Sequence, residues 1–185
     1  GKTRVELNAI VGAGDMTMTD LIDSFRSGVI PSAQSAGVSL QSLGAALAVM
    51  GDMGNRGAMA GTRLRMAIAL LSSPSAASAK VLNTLGMTSK EATSTRAAMA
   101  KALQDAGLRT TSLSADLRKP DGIMVALQDL NHHLMSSGLT ATGAAAVMNK
   151  AFGGGKMGAT IVTLAQNTDR LALKYKQVGD GASHL

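Results

Sequence analysis

The sequence predicts an all-α fold of about eight or nine short helices, in a compact or partly extended bundle. Apolar residues recur at intervals of three and four along most of the chain, whereas the alternation typical of strands is scarce. Only Phe25, Phe152 and Tyr175 are aromatic, and the chain contains 21 glycines and 12 methionines. We therefore expect an aliphatic core in which helices approach closely over alanine and glycine.

Three short helices are predicted before residue 38. The first covers 2–11, and the second is capped by Thr19 and ends near Gly28. The third begins at Pro31, which is tolerated in a first turn, and stops at Gly37.

Two longer helices follow. Ser39 is a good N-cap for a helix with apolar residues at positions 40, 43, 47 and 50. The next helix covers about 58–71. Arg63 and Arg65 are two positions apart, so we expect them to flank its apolar stripe rather than point the same way.

The second half of the predicted core domain, 1–155, contains four more helices and one long loop. The helices are expected at about 76–85, 88–106, 121–136 and 140–152. Between them, residues 108–120 lack a clear period and contain Thr, Ser and Pro, so we expect a loop there with room for a short strand pair.

A longer amphipathic helix is predicted at 156–178, after the glycines at 153–155, with a flexible tail at 179–185. Its apolar positions alternate spacings of four and three, which is coiled-coil-like a/d spacing. This candidate seam either docks the helix on the bundle or supports self-association. Its members are Met157, Ile161, Leu164, Thr168, Leu171, Tyr175 and Val178.

Catalytic and metal sites find little support in the residues. There is no cysteine, which excludes disulfides and thiolate chemistry. His132 and His133 are neighbours on a predicted helix and point about 100° apart, so they do not grip one metal. The glycine-rich stretches 12–15 and 152–158 do not match a phosphate-binding loop. We expect neither an enzyme nor a cofactor.

The positive charge is concentrated in residues 53–119, which carry ten basic and three acidic residues. Such a field could meet nucleic acid, anionic lipid or an acidic protein surface. Nucleic acid is possible but not favoured, because no aromatic residues are interleaved for base stacking. The candidate electrostatic surface consists of Arg56, Arg63, Arg65, Lys80, Lys90, Arg96 and Lys101.

Four stretches carry a resemblance to a known family. They are "SAQSAGVSLQSLGAALAVMGDMG" at 32–54, "AGTRLR" at 60–65, "SSPSAASAKVLNTLGM" at 72–87 and "AFGGG" at 151–155. In this order they resemble the core region of phage tail tape measure proteins, and the similarity covers roughly residues 17–178. We therefore expect the chain to be a segment of a much longer protein.

The resemblance implies a structural role. Tape measure proteins lie in several copies inside the tail tube, set its length during assembly and leave ahead of the DNA at infection. The implied partners are the tail tube protein, tail-tip or baseplate proteins, other copies of the chain and tail assembly chaperones. The implied locations are the tail lumen, the host cytoplasm during assembly and the host envelope at infection. A basic nucleic-acid-binding module and a membrane-active ejection protein are the alternatives.

Overall fold

A computed structural model describes residues 2–72, 110–136, 138, 140–151 and 155–183, and it confirms the all-α fold class. Between the helices Met18–Ser24 and Ile30–Ala36, a π-helical turn at Phe25–Val29 is kinked at Gly28, where φ is 89°, near the predicted end of the second helix. The α-helices of these residues are α1 Lys2–Ala13, α2 Met18–Ser24, α3 Ile30–Ala36, α4 Leu40–Asp52, α5 Gly57–Ser72, α6 Thr110–Leu117, α7 Gly122–Ser136, α8 Ala141–Ala151, α9 Gly155–Ala165 and α10 Thr168–Ser183.

Helices α1, α4 and α10 pack as one layer, in which glycines allow the backbones to come close. A Cβ on Gly14 would lie 2.6 Å from the Cα of Ala48, so only glycine fits beside α4 at that position. The side chain of Ile10 occupies the space beside Gly44 in the same way. The pairs 10–44 and 14–48 run in the same direction, so α1 and α4 are parallel.

The last helix runs antiparallel to both. Lys174 contacts the end of α1 at Ala13, whereas Gly181 lies against Ala9, one turn earlier in α1. Helix α10 thus completes the core. Its Leu171 and Val178 are each 1% exposed.

The N-cap residue of α2 differs from the predicted one. Thr17, not Thr19, is the N-cap: its hydroxyl accepts from the Asp20 N–H at 3.1 Å. The Asp20 carboxylate in turn accepts from the Thr17 N–H at 2.9 Å, which completes a capping box. The predicted stop at Gly37 is confirmed, since this glycine has a φ of 76°.

The predicted long loop at 108–120 is wrong for most of its length. Residues 110–117 form α6, because Leu113 and Leu117 are spaced one turn apart and both are fully buried. The short irregular connection to α7 covers only 118–121. No strand pair forms within 110–121.

The prediction of one continuous helix at 156–178 is also wrong, because the helix is interrupted at Gln166 and Asn167. The Asn167 amide donates to the Thr163 carbonyl at 2.6 Å, and its own carbonyl accepts from the Leu171 N–H at 2.9 Å. Asn167 therefore stands where one helix ends and the next begins. The predicted flexible tail at 179–185 is corrected too, since α10 continues to Ser183.

The other predictions for the described part of the chain hold within one or two residues. Ser39 caps α4 through a 3.0 Å bond from the Ser42 N–H, and Thr140 caps α8 through a 3.1 Å bond from the Gly143 N–H. The helices predicted at 76–85 and 88–106 lie outside the described residues.

Candidate functional site

A charged junction at the end of α4 joins this helix to α10, to the end of α1 and to the connection between α1 and α2. The Lys174 ammonium lies 3.0 Å from Asp52 Oδ2, and an Arg170 guanidinium nitrogen lies 3.9 Å from the same oxygen. The other oxygen of Asp52 accepts from the Asp15 N–H at 2.9 Å. The side chains of Lys174 and Asp52 are only 14% and 16% exposed, so this pair is largely shielded from water.

The electrostatics of the junction favour an ionised Asp52. Burial would raise the pKa of this carboxyl, but hydrogen bonds from Lys174 and the Asp15 N–H, together with the charges of Lys174 and Arg170, hold it below the ordinary value. Lys174 also donates to the Ala13 carbonyl at the end of α1. One ammonium group thus ties α10 to both α1 and α4.

Arg56 belongs to this junction rather than to an open basic surface. Its guanidinium donates to the carbonyl and to the carboxylate of Asp15. Because its charge is already paired within the chain, Arg56 contributes little free positive field.

Arg63 and Arg65 lie on different sides of α5, as their spacing predicted. Arg63 is half-buried and donates to the Asn55 side-chain oxygen, beside α9. Arg65 is exposed, and its aliphatic part lies 3.5 Å from where a Cβ on Gly28 would be, on the side of the π-helical turn. These two residues and Arg56 therefore do not form one continuous patch. Lys80, Lys90, Arg96 and Lys101 lie outside the described residues.

The candidate seam packs within the chain. Its apolar members Ile161, Leu164, Leu171 and Val178 are at most 1% exposed. Thr168 and Tyr175 are half-buried, and the side chain of Met157 is outside the described part. The Tyr175 carbonyl accepts from the Gln41 amide at 2.7 Å, which fixes the seam against α4. The alternation of spacings thus reports docking within the domain, through two helices rather than one.

A second charged cluster, which the sequence reasoning missed, lies between α6 and α7. Asp116 is 7% exposed, and one of its oxygens lies 3.1 Å from the Lys119 ammonium. Its other oxygen is buried and has no hydrogen-bond partner among the residues that the structure describes. Burial, together with the neighbouring Asp129 carboxyl, raises the pKa of Asp116 above its ordinary value. The only sequence signal was a charged residue between two leucines of one helical face, at Leu113 and Leu117.

Burial also acts at the start of α7, where it raises the pKa of Asp121 to about 6. Burial and the charge of Asp121 also raise the pKa of Tyr175 in α10.

Among the described residues no group of three or more histidines and carboxylates is placed to hold a metal ion. None of the helices in the described ranges is long and apolar enough to cross a bilayer. His132, one of the two neighbouring histidines, is exposed.

Comparison with known proteins identifies the family of the chain. Residues 6–153, well over half of the chain, match the family described as phage-related minor tail protein. The chain belongs to this family of phage minor tail proteins. No curated protein and no solved structure matches it.

The region that matches the family contacts the part of the chain that follows it. The match ends at residue 153, before α9 and α10 begin. Yet Lys174 and Arg170 supply the positive side of the charged junction, whose negative centre, Asp52, lies inside the matched stretch. The two helices that follow the matched region therefore pack against it.

Proposed function

We propose that this minor tail protein is a segment of a tape measure protein, which sets tail length during tube assembly and leaves ahead of the DNA at infection. The observation that carries the proposal is membership of the minor tail protein family over residues 6–153. The stretches that resemble tape measure proteins lie within this region or at its edge. The role we propose is mechanical and binding, without catalysis.

The packing of the fold supports a role in a confined space. Close contact of Gly14 with Ala48, and the fit of the Ile10 side chain against Gly44, hold α1 and α4 close together. A chain that must fit within a tube, together with other copies, benefits from such narrow spacing. Methionines adapt to irregular contacts, which suits a chain that rearranges on release.

The proposed partners are the tail tube protein, tail-tip or baseplate proteins, assembly chaperones and other copies of the chain. The proposed locations are the tail lumen in the virion, the cytoplasm during assembly and the envelope at infection. Exposed Arg65 is the residue in α5 best placed to meet an acidic tube wall. Reversing its charge to Glu should lower the yield of full-length tails, and unchanged tails would remove the acidic-wall part of the proposal.

Tail length in the phage itself is the direct test. In-frame duplication of the segment encoding residues 2–183 should give uniformly longer tails in electron micrographs, and its deletion should give uniformly shorter ones. A Gly12→Ala variant, which adds a methyl group in open space, should leave the length unchanged. Viable phage with normal tail length after duplication would overturn the tape measure proposal but not the family membership.

Mass spectrometry of purified, nuclease-treated particles gives a second test. The peptide "MAIALLSSPSAASAK" (66–80) should be present at a fixed small number per tail. Its absence from particles, combined with steeply salt-dependent duplex binding by the isolated chain, would favour a nucleic-acid-binding protein instead.

A further inference from the structure

A small pocket with polar groups and apolar walls lies between α5 and α9, close to the end of α4. Its volume is about 110 Å³. Asn55, Arg63, Thr160 and Thr163 supply its polar groups, and Met50 and Leu164 form apolar walls. One water molecule takes up about 30 Å³ in the liquid, so the pocket is large enough for a group the size of a few waters.

Among the described residues, no carboxylate neutralises the charge of Arg63 in this pocket. Its guanidinium is positively charged and carries five N–H donors in a rigid fork. In the described part of the chain it donates to the neutral amide oxygen of Asn55, and no carboxylate lines the pocket. Arg56 differs, since an aspartate carboxylate accepts from it.

A half-buried, uncompensated guanidinium favours an anion. Partial removal of water strengthens its interaction with a negative group, and the flat fork matches two coplanar oxygens. The hydroxyl group of Thr163 can donate a further hydrogen bond to the same oxygens. The pocket thus combines one positive charge, neutral donors and apolar walls.

We propose that this pocket binds a carboxylate, and that its occupant is an acidic side chain presented by a protein partner. A carboxylate balances the single positive charge of Arg63. A phosphate monoester carries about 1.5 to 2 negative charges and would remain partly uncompensated in the same place. The proposal concerns the isolated chain and does not depend on the tape measure role.

An NMR titration of the full chain tests the proposal. The probes are sodium acetate and the capped peptides acetyl-Gly-Glu-Gly-amide and acetyl-Gly-Gln-Gly-amide, with ionic strength kept constant by sodium chloride. Acetate and the Glu peptide should produce saturable shifts at the Arg63 Nε–H and at the backbone amides of Asn55, Thr160 and Thr163. The Gln peptide should produce none. Saturation with acetate but not with the Glu peptide would overturn the side-chain occupant.

Matched variants separate the pocket from general charge effects. Arg63→Gln should weaken binding at least tenfold, whereas Arg26→Gln removes an equal charge from an exposed side chain outside the pocket and should leave the affinity unchanged. Equal weakening by both variants, or linear shifts without saturation, would overturn the site. Tighter binding of inorganic phosphate than of acetate would overturn the assignment to a carboxylate.

A second variant guards against a loss of folding. If Arg63→Gln does not fold, Thr163→Val keeps the shape of a half-buried side chain and removes one donor. It should weaken acetate binding several-fold while the far-ultraviolet circular dichroism stays that of the parent chain. Unchanged affinity in this folded variant would contradict the arrangement of donors proposed for the pocket.

Discussion

Lys174 and Asp52 form a largely buried ion pair, with the ammonium 3.0 Å from the carboxylate oxygen. The residues are far apart in the sequence, and they link the last helix to the end of α4. The same ammonium donates to Ala13, so α1 is included in the contact. This pair lies where the family region meets the helices that follow it, and its loss should weaken the whole three-helix layer.

Removal of the ammonium is the first prediction. Lys174→Met keeps most of the aliphatic chain but leaves Asp52 without its closest cation, although Arg170 and the Asp15 N–H remain. We expect a loss of about 1.5–3 kcal/mol in the free energy of unfolding, the range for hydrogen bonds to charged groups. Chemical denaturation at pH 7 measures it.

The exposed pair of Asp23 and Arg26 provides the control. Its atoms are 3.8 Å apart, and the two side chains are 43% and 78% exposed. Arg26→Gln should change the stability by less than about 1 kcal/mol, because water screens exposed pairs. Equal losses in the two variants would mean that burial of the Lys174 contact adds nothing.

Local signals explain which parts of the fold were predictable. Helix α4 was predicted because Ser39 is a recognisable cap and its apolar residues keep a single period. Helix α6 was missed because it is short and its face consists of only Leu113 and Leu117. The break at Asn167 was missed because the apolar spacing continues across it, and only the hydrogen bonds of Asn167 show that two helices share the pattern.

The candidate sites were less predictable, since they depend on distant partners. Arg56 and Arg63 both looked like free surface charges. The fold pairs the first with Asp15 and places the second in a pocket lined by residues from α9. Sequence spacing correctly separated Arg63 from Arg65, because both lie on one helix. The spacing held no information about which groups would surround each arginine.

Asp121 should make part of the stability depend on pH. Its pKa rises from 3.8 to about 6 on folding, so its contribution is fully present below pH 3.8 and is lost as the pH rises through about 6. Asp121→Asn should therefore melt close to the parent chain at pH 4 and about 2–4 °C above it at pH 7, which corresponds to roughly 1 kcal/mol. Calorimetry across this range measures the difference, and a constant difference would contradict the buried carboxyl.

Two glycines in helices should respond to alanine in opposite directions. A Cβ on Gly61 would overlap the Ser24 carbonyl and the Ser27 hydroxyl, so Gly61→Ala should destabilise the chain by about 1–3 kcal/mol through forced separation of α5 and α2. A Cβ on Gly12 would meet nothing within 4 Å. Gly12→Ala should therefore stabilise the chain by about 0.5–1 kcal/mol, because alanine loses less entropy in a helix. Denaturation midpoints of the two variants should move to opposite sides of the parent value.

Ser42 should be more important than its small size indicates. It is 1% exposed, and its hydroxyl accepts from the Ile123 N–H at 3.1 Å, in the first turn of α7. Ser42→Ala would leave this buried donor without an acceptor, so we expect a loss of about 1–3 kcal/mol and faster hydrogen exchange at the Ile123 amide. The matched control is Ser32→Ala, since the Ser32 hydroxyl makes an exposed 3.4 Å contact to the Arg65 carbonyl. That control should stay within about 0.5 kcal/mol of the parent chain. Unchanged exchange at Ile123 in the Ser42 variant would show that the start of α7 is held by packing alone.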